Sequence, residues 1–391
     1  MTGQALAKDW NLVRFGEVAE NISKRVNPSA GDEKEYIGLE HLDSGSLEVR
    51  RWGSEVVLKG QKLAIKKGDI LFAKRNAYLK RVALAPFDGI FSAHGMVIRP
   101  LGGDMHPEFL PFFMQSNTFM NRAISVSEGS LSPTIKWKTL AAQEFKIPPL
   151  TEQKRLLEIL KKASKSLSKL DELESSFSQM VSTVIEDKIR QFCPNEISIG
   201  ELIQSGDILG IQDGNHGNDH PKASDYVDHG IPFVMASDLT NGSINLDQCK
   251  NLKKELADKL RIGFSRPGDI LLSHKGTVGL VAVTPKVTDY IMLTPQVTYY
   301  RVKDGGRLRS KFLEIYFRSQ SFQRSLKALS AQSTRAYIGI TSQKKMNVPL
   351  PLDWQQDEII HLWGCMEETK HRIRTKKIAT YKLSESIING C

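Results

Sequence analysis

The chain has 391 residues, 40% hydrophobic and 25% charged, enough for two globular cores and ordinary for folded protein. No apolar run approaches the roughly 20 residues of a membrane span, and four scattered cysteines without a Cys-x-x-Cys pair exclude a disulfide frame or a cysteine zinc site. The formal net charge of +10 suits an anionic partner, most commonly nucleic acid.

In chain order, the first nine residues lack the apolar core of a secretory signal, so the expected location is the cytoplasm, with Cys193, Cys249, Cys365 and Cys391 as reduced thiols. From about residue 10 to 148, short β-rich runs such as Glu55-Val56-Val57-Leu58 and Asp69-Ile70-Leu71-Phe72 alternate with turn residues, and a helical pattern covers 107–124. This mixture reads as α+β. A basic loop holding Lys74, Arg75, Asn76, Lys80 and Arg81 follows the Gly-Asp-Ile-Leu run, and a second polar group (Ser130, Ser132, Thr134, Lys136, Lys138) comes later. Pro148 and Pro149 then stop the strand, Thr151 is a suitable N-cap, and no Gly or Pro follows until Pro194. Leu156, Leu160, Ala163, Leu167, Leu170, Phe177, Val181 and Val184 form a coiled-coil seam interrupted at Glu174. Some 40 helical residues at ~1.5 Å each make a rod of roughly 60 Å.

The second half repeats the first. Pro267-Gly268-Asp269-Ile270-Leu271-Leu272 matches Lys67-Gly68-Asp69-Ile70-Leu71-Phe72, and Ile199-Gly200-Glu201-Leu202 matches Phe15-Gly16-Glu17-Val18. Phe312-Leu313 through Ser319 and Phe322 echo Phe109-Leu110 through Ser116 and Phe119. The order is kept with small slips in offset, so the chain contains two copies of a domain-plus-helix module. His274, Lys275 and Thr277 occupy the second basic loop, and Ser333, Thr334, Arg335, Tyr337 and Thr341 the second polar group. Val348-Pro349-Leu350-Pro351 leads into the second helix, with Asp353 as N-cap and Gln356 as its capping-box partner. Its seam is poorer: Ile359, Trp363, Met366 and Ile373, with Lys370, Lys377 and Ser384 between apolar positions. The first rod carries the chain away from module one, so the second can pair with it only by running back. The pair is antiparallel on this reading and relates the modules by a pseudo-dyad, placing Glu174 near Lys370.

Lys and Arg neutralise phosphates, and Arg or Asn can pair bidentately with guanine or adenine edges, the two contact kinds that duplex readout needs, so the paired clusters point to nucleic-acid contact. No phosphate-binding loop, dinucleotide fingerprint or Asn/Asp-Pro-Pro-Tyr/Phe stretch is present. Glu186-Asp187-Lys188 has the spacing of a nuclease Glu-x-Lys but lies inside the long helix, and His216 and His220 form an isolated pair in a Gly/Asn/Asp loop.

Ile147-Pro148-Pro149-Leu150-Thr151-Glu152-Gln153-Lys154-Arg155, its weaker copy after residue 350 and the repeated Gly-Asp-Ile-Leu block resemble the specificity subunit of type I restriction–modification systems. The resemblance covers nearly the whole chain, departing where Asp353-Trp354-Gln355-Gln356-Asp357 replaces the usual Glu-Gln-Lys/Arg. It implies two globular α/β target recognition domains (1–149 and 193–352), in pseudo-two-fold arrangement, separated by two long antiparallel coiled-coil helices (150–192 and 353–391). It further implies a non-catalytic subunit without a cofactor of its own, in which each domain reads half of a bipartite target in double-stranded DNA. Two methyltransferase subunits would dock on the helices, with Pro149, Glu152, Gln153, Pro351 and Gln356 at the docking entrances. A restriction motor-nuclease subunit would complete the assembly, and no membrane is involved. Two readings from other classes stay open: the recognition fragment of a fused methyltransferase or nuclease, and a basic adaptor that does not read sequence.

Overall fold

A computed structural model describes residues 10–192, 196–217, 220–240, 242–287, 289–331 and 336–390. The chain separates into two compact units, one of Met1–Leu173 with Ile373–Cys391, the other of Glu174–Arg372. Two helices dominate: α1, Leu150–Phe192, and α2, Asp353–Asn389.

In unit 1 an antiparallel sheet has the order Ala19–Asn21, Met96–Pro100, Ile70–Phe72, Val82–Leu84. A second four-stranded sheet orders Arg25–Val26, Lys62–Ile65, Gly89–Phe91 and Tyr36–Ile37, the last pairing parallel. Asn11–Arg14 pairs with Glu144–Ile147 and closes the chain just before α1. Unit 2 repeats the first sheet as Ile208–Gln212, Val297–Val302, Ile270–Lys275, Thr277–Val283, and the closing ribbon as Glu196–Ser198 with Asn347–Pro349. Its other sheet has five strands. Mixed α+β architecture is therefore present in both units.

The repeated sequence blocks have repeated physical jobs. Gly68 and Gly268 both adopt φ +88°, a left-handed conformation that glycine takes without strain, and turn the chain into the central strand. The aspartates that follow are buried: Asp69 receives a bidentate pair from Arg99 (2.5 and 2.9 Å) and Asp269 one from Arg301 (2.9 and 2.7 Å). Each also caps its own turn, accepting from the Lys66 or Arg266 amide. Ser116 and Ser319 each cap a short helix by accepting the amide of Phe119 or Phe322, and these phenylalanines lie in the two cores.

Within each unit the long helices run antiparallel. In unit 1, Leu156, Leu157 and Leu160 share a core with Ile388, and Asp171 pairs with Lys377 further along. In unit 2, Val181, Ile185 and Ile189 pack with Ile359 and Met366, Lys188 bonds Glu358 at 2.6 Å, and Phe192 meets Trp354 edge-on at 5.6 Å. The buried stripe of unit 2 runs 181–185–189, so Val184 is only half-buried and the heptad drifts toward helical spacing of four. Lys370 bonds Glu367 on its own helix (3.0 Å) and lies over the Trp363 ring.

Candidate nucleic-acid interface

The two polar clusters of each half are brought together by backbone pairing. In unit 1 the Ile135 amide donates to the Lys74 carbonyl (3.0 Å), Arg75 bridges Thr134, and the Asn76 amide donates to the Pro133 carbonyl (2.9 Å). In unit 2 the Ile338 amide donates to the His274 carbonyl (3.0 Å), Lys275 bridges Tyr337, and the Gly276 amide donates to the Ala336 carbonyl (3.0 Å). The register is the same three-residue clasp in both. It joins the loop after the central strand to the segment before the terminal ribbon.

Side chains on the clasp divide into surface groups and braces. Lys74, Arg75, Ser132 and Thr134 are half-buried, and Lys136 is exposed but bonded to Glu128 at 2.6 Å. Lys80 donates to the Asn117 side chain (2.7 Å) and Arg81 to the Leu39 carbonyl (3.1 Å), so both tie the loop to its own unit. Lys275, Thr277, Tyr337 and Thr341 are exposed. His274 departs from expectation: it is fully buried, with Nδ1 at 3.0 Å from the Ile338 carbonyl and its ring 5.7 Å from Tyr337. It locks the clasp from within and has no surface to offer a ligand. Arg335, Ser333 and Thr334 lie outside the described residues.

Sequence reading missed part of the charge. Strand pairing sets Arg25 opposite Leu63 and Val26 opposite Lys62, on residues far apart in sequence from Lys74. Burial and the Arg25 guanidinium together hold the Lys74 ammonium below the usual lysine range. The exposed His94 imidazole is lowered by partial burial and by the Arg75, Lys74 and Lys62 cations. Arg25 thus acts on Lys74, and Arg75, Lys74 and Lys62 act on His94, a gathering of cations that no local motif announces. Unit 2 differs here: His216 meets the buried Asp213 at 2.8 Å beside a recess of about 430 Å³ that Lys275, Thr294 and Gln296 help line.

The helix entrances need a correction. Gln153 and Gln356 are completely buried and cannot be docking residues. Gln153 accepts the His106 amide (2.7 Å) and donates to the Asp104 and Pro148 carbonyls (2.7 and 2.8 Å). Gln356 accepts the Arg309 amide (2.8 Å) and donates to the Arg307 and Pro351 carbonyls (2.7 and 2.9 Å). Both anchor the first turn of a long helix to the globular part of the same unit. The capping role expected of Gln356 belongs to Gln355, which accepts the Leu352 amide at 2.9 Å. Pro351 is buried as well, Pro149 is half-buried, and Glu152 bonds Arg155 at 2.6 Å.

Other candidates dissolve. Glu186 accepts the Ser321 amide (2.9 Å), Asp187 pairs with Arg190 and Lys188 with Glu358, so the three side chains do not converge. His216 turns to Asp213 and His220 to the Asn215 carbonyl (3.3 Å), and the described residues contain no group of three metal-ligating side chains.

Comparison with known proteins matches the duplication. A family model for the type I restriction modification DNA specificity domain matches residues 7–175 and again 201–363. The chain is 26% identical to the type I restriction enzyme EcoDI specificity subunit of Escherichia coli, over 46% of this chain and 40% of that protein. It is 20% identical to the MjaVIII specificity subunit of Methanocaldococcus jannaschii, over 100% of this chain and 93% of the relative. A solved structure described as showing complex assembly and conformational transition of the type I R-M system superposes with a TM-score of 0.61 at 20% identity, covering 98% of this chain and 97% of that one. The type I S subunit from M. genitalium gives 0.53 at 10% identity, covering 98% and 96%. With one copy of the specificity domain in each half, the chain belongs to the family of type I restriction modification DNA specificity proteins.

Proposed function

We propose that this chain is the DNA-reading subunit of a type I restriction–modification assembly, each unit reading one half of a bipartite duplex target. The observation that carries this reading is the duplicated clasp, which presents Arg75 across from Thr134 in one unit and Lys275 across from Tyr337 in the other at identical backbone register. Cations at the clasp neutralise phosphates, while the loops' differing side chains meet base edges. The shared clasp positions the readers, and the differences between Asn76 and Gly276 or Thr134 and Tyr337 separate their targets.

In this reading the chemistry belongs to partners. Methyltransferase subunits carrying S-adenosylmethionine dock along α1 and α2, and a motor-nuclease subunit joins them. The helices set the spacing between half-targets. Surface residues of the rods, not the buried Gln153 and Gln356, make those contacts. The cytoplasm is the corresponding location.

The test is methylome mapping in cells that express this chain with its methyltransferase partner. The expected result is one bipartite motif, of which exchanging residues 196–350 for another family member's alters only one half. A change in both halves, or no motif at all, overturns the proposal.

A further inference from the structure

We propose that the clasp of unit 1 carries an apolar wedge, Leu131 at one loop tip with Tyr78 on the loop clasped to it, that enters between base pairs and distorts the duplex it reads. This inference rests on the DNA-reading function proposed above and adds an activity to it. A solitary exposed leucine is ordinary on protein surfaces. Three observations set this one apart.

First, Leu131 is 97% exposed yet sits at the apex of a closed loop. Glu128 and Thr134 exchange both backbone hydrogen bonds (3.0 and 2.9 Å) across it, and Gly129 at φ +106° makes the turn. Second, the loop clasped to it presents more apolar surface. Tyr78 is 58% and Leu79 37% exposed, two or three residues beyond the Asn76–Pro133 bond. They lie on a 3₁₀ turn, Ala77–Leu79, flanked by Asn76 (φ +55°) and Lys80 (φ +50°), the two non-glycine residues with positive φ among those described. Unit 2 has Gly276 (φ +78°) where unit 1 has Asn76, and its chain continues directly as the strand Thr277–Val283. Unit 1 therefore leaves the strand and accepts left-handed backbone at two side-chain-bearing residues, with an aromatic ring and a leucine held outward as the result. Third, Lys74, Arg75 and the cations around them supply the field that draws a phosphate backbone to this surface. Apolar side chains projecting from a cationic surface are the elements that duplex-bending proteins insert at a base step.

The alternative occupant is an apolar pocket on a protein partner. The cationic setting argues against it, because desolvating Lys74 and Arg75 against a protein would need carboxylates in return.

The target duplex is first fixed by selecting from a random library with the assembled complex. No enriched sequence means that the DNA-reading function itself fails. On the enriched duplex, 2-aminopurine is placed in turn at every position of the unit 1 half except the methylated adenine. The expected result is a severalfold fluorescence rise at one step on binding, lost in Leu131→Ser and in the Leu131→Ser/Tyr78→Ser double variant, and restored in Leu131→Phe. Affinity should fall roughly tenfold in the serine variants. A duplex with a mismatch at that step should return most of it, since the distortion is already present. Leu131 packs against nothing, so thermal unfolding should not move. A wild-type complex with no rise, a rise unaffected in the serine variants, or a variant that loses only its methyltransferase partner would each overturn the wedge while leaving sequence reading intact.

Discussion

Substituting Gln153 separates an anchor from a docking residue. Its side chain makes three hydrogen bonds, to the His106 amide and the Asp104 and Pro148 carbonyls, at a position with no solvent exposure. Gln153→Ala leaves one donor and two acceptors unpartnered inside the unit. At about 1 kcal/mol for each unsatisfied group, the local loss comes to about 3 kcal/mol, or roughly a hundredfold in the opening equilibrium of the first helical turn. Gln153→Glu keeps the shape but turns a carboxylate toward two carbonyl oxygens unless it holds a proton. That proton is favoured in the folded state, so the variant's folded pKa lies above its unfolded one. Its stability should then be best in acid and fall as pH rises through the folded value. Hydrogen exchange at His106 and along 150–156 reads both variants, with Gln356→Ala and Arg309 as the matching pair in unit 2. If exchange in Gln153→Ala stays within about threefold of wild type while the partner subunit dissociates, the anchoring argument is wrong and the docking role returns.

Other substitutions test other links. Asp269→Asn breaks a buried carboxylate's bidentate pair with the partly exposed Arg301 and should destabilise unit 2 by about 2 kcal/mol in thermal unfolding, with Asp69→Asn doing the same to unit 1; no effect would mean that the repeated aspartate is not structural. His274 is held below the ordinary imidazole range by burial, partly offset by Asp213. The unfolded state therefore binds its proton first, and unit 2 should lose stability as pH falls below about 6.5, a slope that His274→Gln removes. Under the proposed function, Arg75→Gln should lower the slope of log affinity against log salt by about 0.9 for one phosphate contact, with the target sequence read from a bound library otherwise kept. An unchanged slope would take Arg75 off the backbone.

Local chemistry made the organisation legible. Proline stops, long proline-free runs (glycine-free as well in α1) and their apolar spacing mark α1 and α2, because a helix interior tolerates proline poorly and its buried stripe must recur at helical spacing. The duplicated Gly-Asp-Ile-Leu blocks announced two modules, and their job in a turn and an ion pair explains why these types recur. Burial was not legible in the same way. Gln153 and His274 look like surface polar residues in sequence, and only packing showed that backbone partners from distant segments enclose them.

By itself, then, the sequence determined the two-module plan, the two rods and the basic character that suits an anionic partner, because these depend on composition and on short-range periodicity. Tertiary structure alone decided which residues meet. It joined 74–76 to 133–135 and 274–276 to 336–338, set Arg25 near Lys74 and Lys62 near His94, and turned the repeated glutamines inward. Those outcomes depend on strand register and long-range pairing, in which a shift of one residue exchanges the buried face for the exposed one.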